Sequence, residues 1–141
     1  MRARRVAVLT MVGAITVLVI ASPTVAASNK YLWEYSLKTC YHEGIGAAAK
    51  MTEQGLTGTT WMRITARMQR YIGGSWQTWY AKYAQSPSQF RDNYKTHSLS
   101  DTFQFIDSGY QVRILFRYDW FHGSTRIESH TLRTGTCLPL V

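Results

Sequence analysis

Residues Met68–Tyr83, MQRYIGGSWQTWYAKY, set Tyr71, Trp76, Trp79 and Tyr80 around a double glycine, with Arg70 and Lys82 among them. Flat rings beside basic donors can stack on sugars or clamp an extended polyanion or peptide. The competing assignment is structural, because cross-strand aromatic pairs stabilise a sheet by roughly 0.2–1 kcal/mol each. Catalytic groupings are harder to assemble. There is no Gly-x-Ser-x-Gly elbow, no His-Glu-x-x-His and no phosphate-binding glycine loop. His42 and Glu43 are neighbours, and on a strand neighbouring side chains leave from opposite faces. His97, His122 and His130 stand singly, with His130 expected in solvent on the last strand. His122 or His130 with Ser124 or Ser129 and Asp119 would supply a hydrolase triad, but that needs hydrogen-bond reach and a pocket. The eight acids show no spacing that isolates an acid–base pair of the glycosidase kind. The expectation is therefore a non-enzymatic protein with no cofactor and no metal.

The elements that must position the rings are strands. From Thr60 to Tyr71 apolar residues alternate, with Met62, Ile64, Ala66 and Met68 on one side and Arg63, Thr65, Arg67 and Gln69 on the other. Gly73-Gly74 is a two-residue hairpin turn, since both positions can take positive φ. That turn pairs Met68 with Trp79, Ala66 with Ala81 and Ile64 with Tyr83 on a core side. It pairs Tyr71 with Trp76, Arg67 with Tyr80 and Thr65 with Lys82 on the other. Trp79 and Tyr83 are then core residues, and the candidate ligand-binding strip is Tyr71, Trp76, Tyr80, Arg67, Arg63 and Lys82, extended by Trp61.

A second strong strand, YQVRILFRYDWF (residues 110–121), carries its apolar face on even positions from Tyr110 to Trp120. His122-Gly123 turns it into a polar edge strand over Ser124–Thr134 whose main apolar residue is Ile127. Phe103 and Phe105 share a face upstream, and Tyr31–Tyr41 reads as a first strand carrying Cys40. Gly44–Gly58 is alanine-rich and is read as a loop with a short strand. About seven strands and no room for a crossover helix give an all-β, antiparallel sandwich.

The first residues describe a compartment. Arg2, Arg4 and Arg5 precede the apolar run Val6–Ile20, and small residues follow Pro23, the layout of a secretory signal peptide over 1–27 cleaved after Ala27. The run falls short of the roughly 20 apolar residues of a spanning helix, so no membrane span is expected in the mature domain, 28–141. Export makes the two cysteines, Cys40 and Cys137, a disulfide. With the three leader arginines set aside, thirteen basic residues face eight acids, a net charge of +5. That is mildly basic, enough for attraction to wall polyanions and short of a dedicated nucleic-acid binder.

The run DSGYQVRILFRY (Asp107–Tyr118) resembles the corner of immunoglobulin-like domains, where an acidic-small-small sequence precedes a Tyr that hydrogen-bonds back to the chain. Asp107, Gly109, Tyr110 and Val112 fill the corresponding places. The arrangement as a whole resembles small secreted immunoglobulin-like proteins of actinomycete type. Val112 departs from the antibody pattern, which has a cysteine there; Cys40–Cys137 would instead tie the first strand to the tail. The resemblance implies the fold; the sandwich pattern without catalytic motifs, together with the aromatic–basic strip, gives the expectation of a secreted binding or surface-interaction module for an extracellular glycan, polyanion or protein. The alternatives are a secreted hydrolase, an inhibitor of one presenting the segment Ala84–Tyr94 as a protruding loop, or a weak polyanion binder whose rings stack on bases.

Overall fold

The computed structural model describes residues 30–42, 44–55, 58–91, 96–107 and 109–138. The leader over 1–27, Glu43, Ser108 and residues 92–94 of the expected inhibitory loop lie outside them. Eight strands run through the described residues: β1 (Tyr31–Tyr41), β2 (Gly44–Gln54), β3 (Gly58–Ile72), β4 (Ser75–Gln85), β5 (Gln89–Arg91), β6 (Thr96–Ile106), β7 (Val112–His122) and β8 (Thr125–Arg133). β1, β2 and β6 form one sheet in the order β1-β2-β6, and β4-β3-β7-β8 form the other, with β5 pairing the start of β3. Every pairing is antiparallel. This is the immunoglobulin arrangement, strands A, B and E packed on C′, C, F and G. The short β5 occupies part of the segment expected to be a protruding loop.

Alternation explains the core. The inward positions of β3 (Met62, Ile64, Ala66, Met68) and β7 (Val112, Ile114, Phe116, Tyr118, Trp120) are fully buried, opposite Phe103 and Phe105 of β6. β2 is a full strand, not the loop with a short strand that its alanines suggest. Its inward residues Ile45, Ala47, Ala49 and Met51 are buried against those rings. Small side chains are what close packing requires beneath Phe116 and Tyr118. Tertiary burial thus overrides the helix propensity of alanine.

One flank of the sandwich is closed by rings and a covalent bond. Trp33 of β1 stacks on His130 of β8 with ring centroids 3.5 Å apart, and Tyr31 meets Trp120 edge-on at 5.2 Å. His130 also lies 2.7 Å from the Glu128 carboxylate, so it is not the solvated strand residue expected. Tyr118 donates its hydroxyl to the Glu34 carbonyl across the sheets at 2.8 Å. Burial, with Tyr35 and Glu34 adding to it, pushes that phenol well above its ordinary range and keeps it a donor. Cys40 and Cys137 are bonded as expected, their Cα atoms 5.5 Å apart across 97 residues.

The β3–β4 hairpin corrects the expected register. Gly73 and Gly74 both have positive φ, and Tyr71 pairs with Trp76 and Gln69 with Thr78 as the turn dictates. The next pair is Met68 with Tyr80, which leaves Trp79 as the extra residue of a bulge. Beyond it the parity of β4 reverses. Lys82 now pairs with Ala66 and Tyr83 with Thr65, so Tyr80 and Lys82 lean toward the core side and Tyr83 points outward. Trp79 is 51% exposed and Tyr83 72%, and neither is a core residue. The bulge has a local reason. The Trp79 ring covers the Arg70 guanidinium at 3.6 Å, the Tyr110 ring lies 4.9 Å from it, and Arg70 is ion-paired with Asp107. An otherwise half-buried cation at the end of the core is thereby capped on its faces and neutralised. Tyr110 itself is 40% exposed and precedes β7, so it does not continue the apolar row of that strand.

Candidate functional site

Odd positions of β3 and β7 leave the larger sheet on the side away from the core. They put Arg63 and Arg67 beside Arg113 and Arg117, and β8 adds Arg133 opposite Leu115 and Arg126 opposite Phe121. This face carries six arginines and one carboxylate, Asp119, which is 0% exposed. Its Oδ1 accepts from Arg117 Nε at 2.9 Å and from Ser129 Oγ at 2.8 Å, and its Oδ2 from Arg63 at 3.4 Å. Arg126 stands 3.8 Å from the same carboxylate. Arg113 donates to the Gln69 side-chain oxygen at 2.8 Å and lies 4.1 Å from the Trp76 ring. Burial first, and then the charge of Arg133, lower the pKa of Arg113. The Arg113 guanidinium thus feels that of Arg133.

Rings bracket the face at its two ends. At one end Tyr71 and Trp76 are 5.3 Å apart. At the other, Trp61 stacks flat on Phe121 at 3.8 Å and donates its indole N–H to the Gly123 carbonyl. Arg63 lies 5.1 Å from the Phe121 ring. The outer face of the smaller sheet is different in kind. It presents Ser36, Ala48, Ser98, Ser100 and Thr102, with Leu32 and Ile106 exposed toward its margins, and among the described residues its ion pair is Glu34–Lys50 at 3.8 Å.

Of the strip expected from the sequence, Arg63, Arg67, Tyr71 and Trp76 are brought together on this face, with Trp61 at its far end. Tyr80 and Lys82 are not. The bulge turns them to the opposite side, where Lys82 donates to the Gln104 carbonyl at 3.2 Å and Tyr80 borders a shallow groove with Phe105 and Ile106 of β6. Arg113, Arg117, Asp119, Arg126 and Arg133 were outside that strip. The parity of QVRILFRYDW already puts Arg113, Arg117 and Asp119 on one side. Arg126 needs the irregularity at Ile127, which no local pattern announces.

The material for a triad is separated. Asp119 and Ser129 meet on the outer face, whereas His130 is on the inner one, stacked on Trp33, and His122 is exposed at a turn. A second polar grouping lies inside, where the buried Glu53 carboxylate accepts from Thr60 Oγ1 at 2.5 Å. Among the described residues no group of three or more His, Cys, Asp or Glu could hold a metal ion, and no helix is long and apolar enough to cross a membrane.

No family model matches the chain, and comparison with curated proteins finds none similar to it. Among solved structures it is similar to part of a calcium-binding mutant of Bacteroides uniformis beta-glucuronidase 2, at 12% identity and a TM-score of 0.44. The match covers 72% of this chain and 13% of that one.

Proposed function

We propose that the protein is an exported, non-enzymatic binding module whose contact surface is the outer face of the larger sheet. Trp76, Tyr71, Arg67 and Arg63 form its β3–β4 side, and Arg113 and Arg117 continue it on β7. The observation that carries the reading is the concentration of charge: six arginines against one buried carboxylate on a single flat face, while the opposite outer face is hydroxylated and nearly neutral. Charge gathered this way raises the local concentration of anionic partners, and rings at its ends add flat surfaces for stacking. The leader sequence and the disulfide support an extracellular setting.

The test compares retention on cell-envelope fractions and on immobilised neutral and anionic glycans. Arg67→Glu with Trp76→Ala should weaken retention at least about tenfold, equivalent to ~1.4 kcal/mol. Ser100→Glu, on the other sheet, should leave it unchanged. Equal retention of the double variant and the wild type would remove this face as the contact surface.

A further inference from the structure

Resting on that contact face, we infer that its ligand is a linear polyol-phosphate polymer lying along the strands, one phosphodiester per level of the sheet. The levels are set by the pairing of β3, β7 and β8. At the level of Trp61 and Phe121 stands Arg126; at the next, Arg63; then Arg117 opposite Thr65; then Arg67 and Arg133 flanking Leu115; and last Arg113 opposite Gln69. Five successive levels each carry at least one arginine. Same-side residues on a strand are two apart, so levels repeat every ~6.8 Å and the row spans about 27 Å. Extended polyol phosphates separate successive charges by a comparable distance, whereas inorganic polyphosphate packs its charges more closely.

Residue type argues for the same ligand. Among the described residues every cation on the face is arginine: Lys38 and Lys50 belong to strands of the other sheet, Lys30 precedes β1, and Lys82 is turned away by the bulge. A solubilising surface has no need of that division. Recognition of planar or tetrahedral oxyanions does, because the guanidinium fork holds two oxygens at once and never loses its proton. Asp119, held by Arg63, Arg117 and Ser129, already shows the face gripping an oxyanion.

The rings decide between kinds of chain. Binding of single-stranded nucleic acid relies on aromatic platforms spaced along the track for successive bases. Here the rings lie at the two ends and, with Tyr83, along the β4 margin. Between the arginines of β3, β7 and β8 the side chains are Thr65, Gln69, Leu115, Thr131, Ser129 and the buried Asp119 carboxylate. Such a track reads backbone charge, and along its length it offers a single ring, Tyr83 beside Thr65, where a chain of bases would need a series of them.

The experiment uses glycerol-phosphate oligomers of defined length, with oligodeoxythymidylate and hyaluronate as comparison probes, on the full mature domain. Affinity for glycerol phosphate should rise with each repeat up to about five and then level off. Its salt slope should approach −3 to −4, about 0.7 per phosphate engaged by a single chain. Arg113→Gln, which empties the last level, and Arg67→Gln combined with Arg133→Gln, which empties the one before it, should each reduce that slope by roughly 0.7, a change that a loss of folding would not produce. Length-independent affinity, a slope near zero, or tenfold tighter binding of oligodeoxythymidylate or hyaluronate would overturn the polyol-phosphate assignment. If Arg67→Glu with Trp76→Ala still abolishes envelope retention in that event, the contact face stands and only its ligand is reassigned; if retention is also untouched, both fall.

Discussion

Loss of the Cys40–Cys137 bond, by reduction or by the double substitution Cys40→Ser and Cys137→Ala, is expected to cost the fold about 2–5 kcal/mol. The bond joins residues 97 apart, and so long a loop restricts the unfolded chain by as much as ~4–5 kcal/mol in the chain-entropy account. A native contribution adds to it. Cys137 exchanges two backbone hydrogen bonds with Val112, at 2.8 and 3.0 Å, on the opposite sheet from Cys40. The bond therefore fastens the end of β1 to a tail strapped onto β7. For a domain of this size the melting temperature should fall by roughly 10 °C or more. The urea m-value should rise as the unfolded chain expands. Alanine at 137 avoids placing an unpaired hydroxyl at a site that is almost fully buried. An unchanged melting temperature under reductant, with free thiols confirmed, would refute the assignment of a stabilising bond.

The next largest effect is at Asp119. Its replacement by Ala should destabilise the domain by about 2–3 kcal/mol, the value of charge-assisted hydrogen bonds lost by a buried carboxylate. The full penalty for breaking a buried ion pair, ~3–5 kcal/mol, is not expected. Arg63 and Arg117 keep side-chain exposures of 35% and 31%, so water can reclaim them. What remains is six arginines with no anion between them. Because that repulsion is screened, adding salt to about 1 M should restore part of the deficit. Asn at 119 preserves the acceptor for Ser129 and should cost less than Ala. Equilibrium unfolding of both variants at two salt concentrations reads these quantities. A deficit under ~0.5 kcal/mol, or one that grows with salt, would show that Asp119 does not organise the face.

Most of the fold could be read from parity, and the exceptions share a cause. β3 and β7 are central strands with one wet and one dry side, so Met62–Met68 and Val112–Trp120 announce their faces two residues at a time. β2 was obscured because Ala47 and Ala49 are chosen for size, and their pattern reflects the bulk of Phe116 and Tyr118 across the core. Trp79 was misplaced because a bulge inserts one residue where Arg70 offers its face to an indole, a contact between residues that no periodicity links. That single residue carried Tyr80 and Lys82 off the candidate strip and Tyr83 onto the outer side. Four of the six arginines, Arg63, Arg67, Arg113 and Arg117, were legible in strand parity, as was Asp119. The extent of the basic face was not, since it depends on the register of β8 against β7.

The division between an arginine-bearing sheet and a hydroxyl-bearing one gives the molecule a top and a bottom. Near any negatively charged boundary the Coulomb torque acts on one broad side only, so adsorption is oriented: the guanidinium side comes to rest downward and Ser36, Ser98, Ser100 and Thr102 are displayed to the surroundings. Fluorophores attached at Ser100 should then remain accessible to an aqueous quencher while those at Thr131 are shielded, and equal quenching at both would mean random orientation. A layer of such molecules would exchange a charged exterior for a neutral, hydrated one.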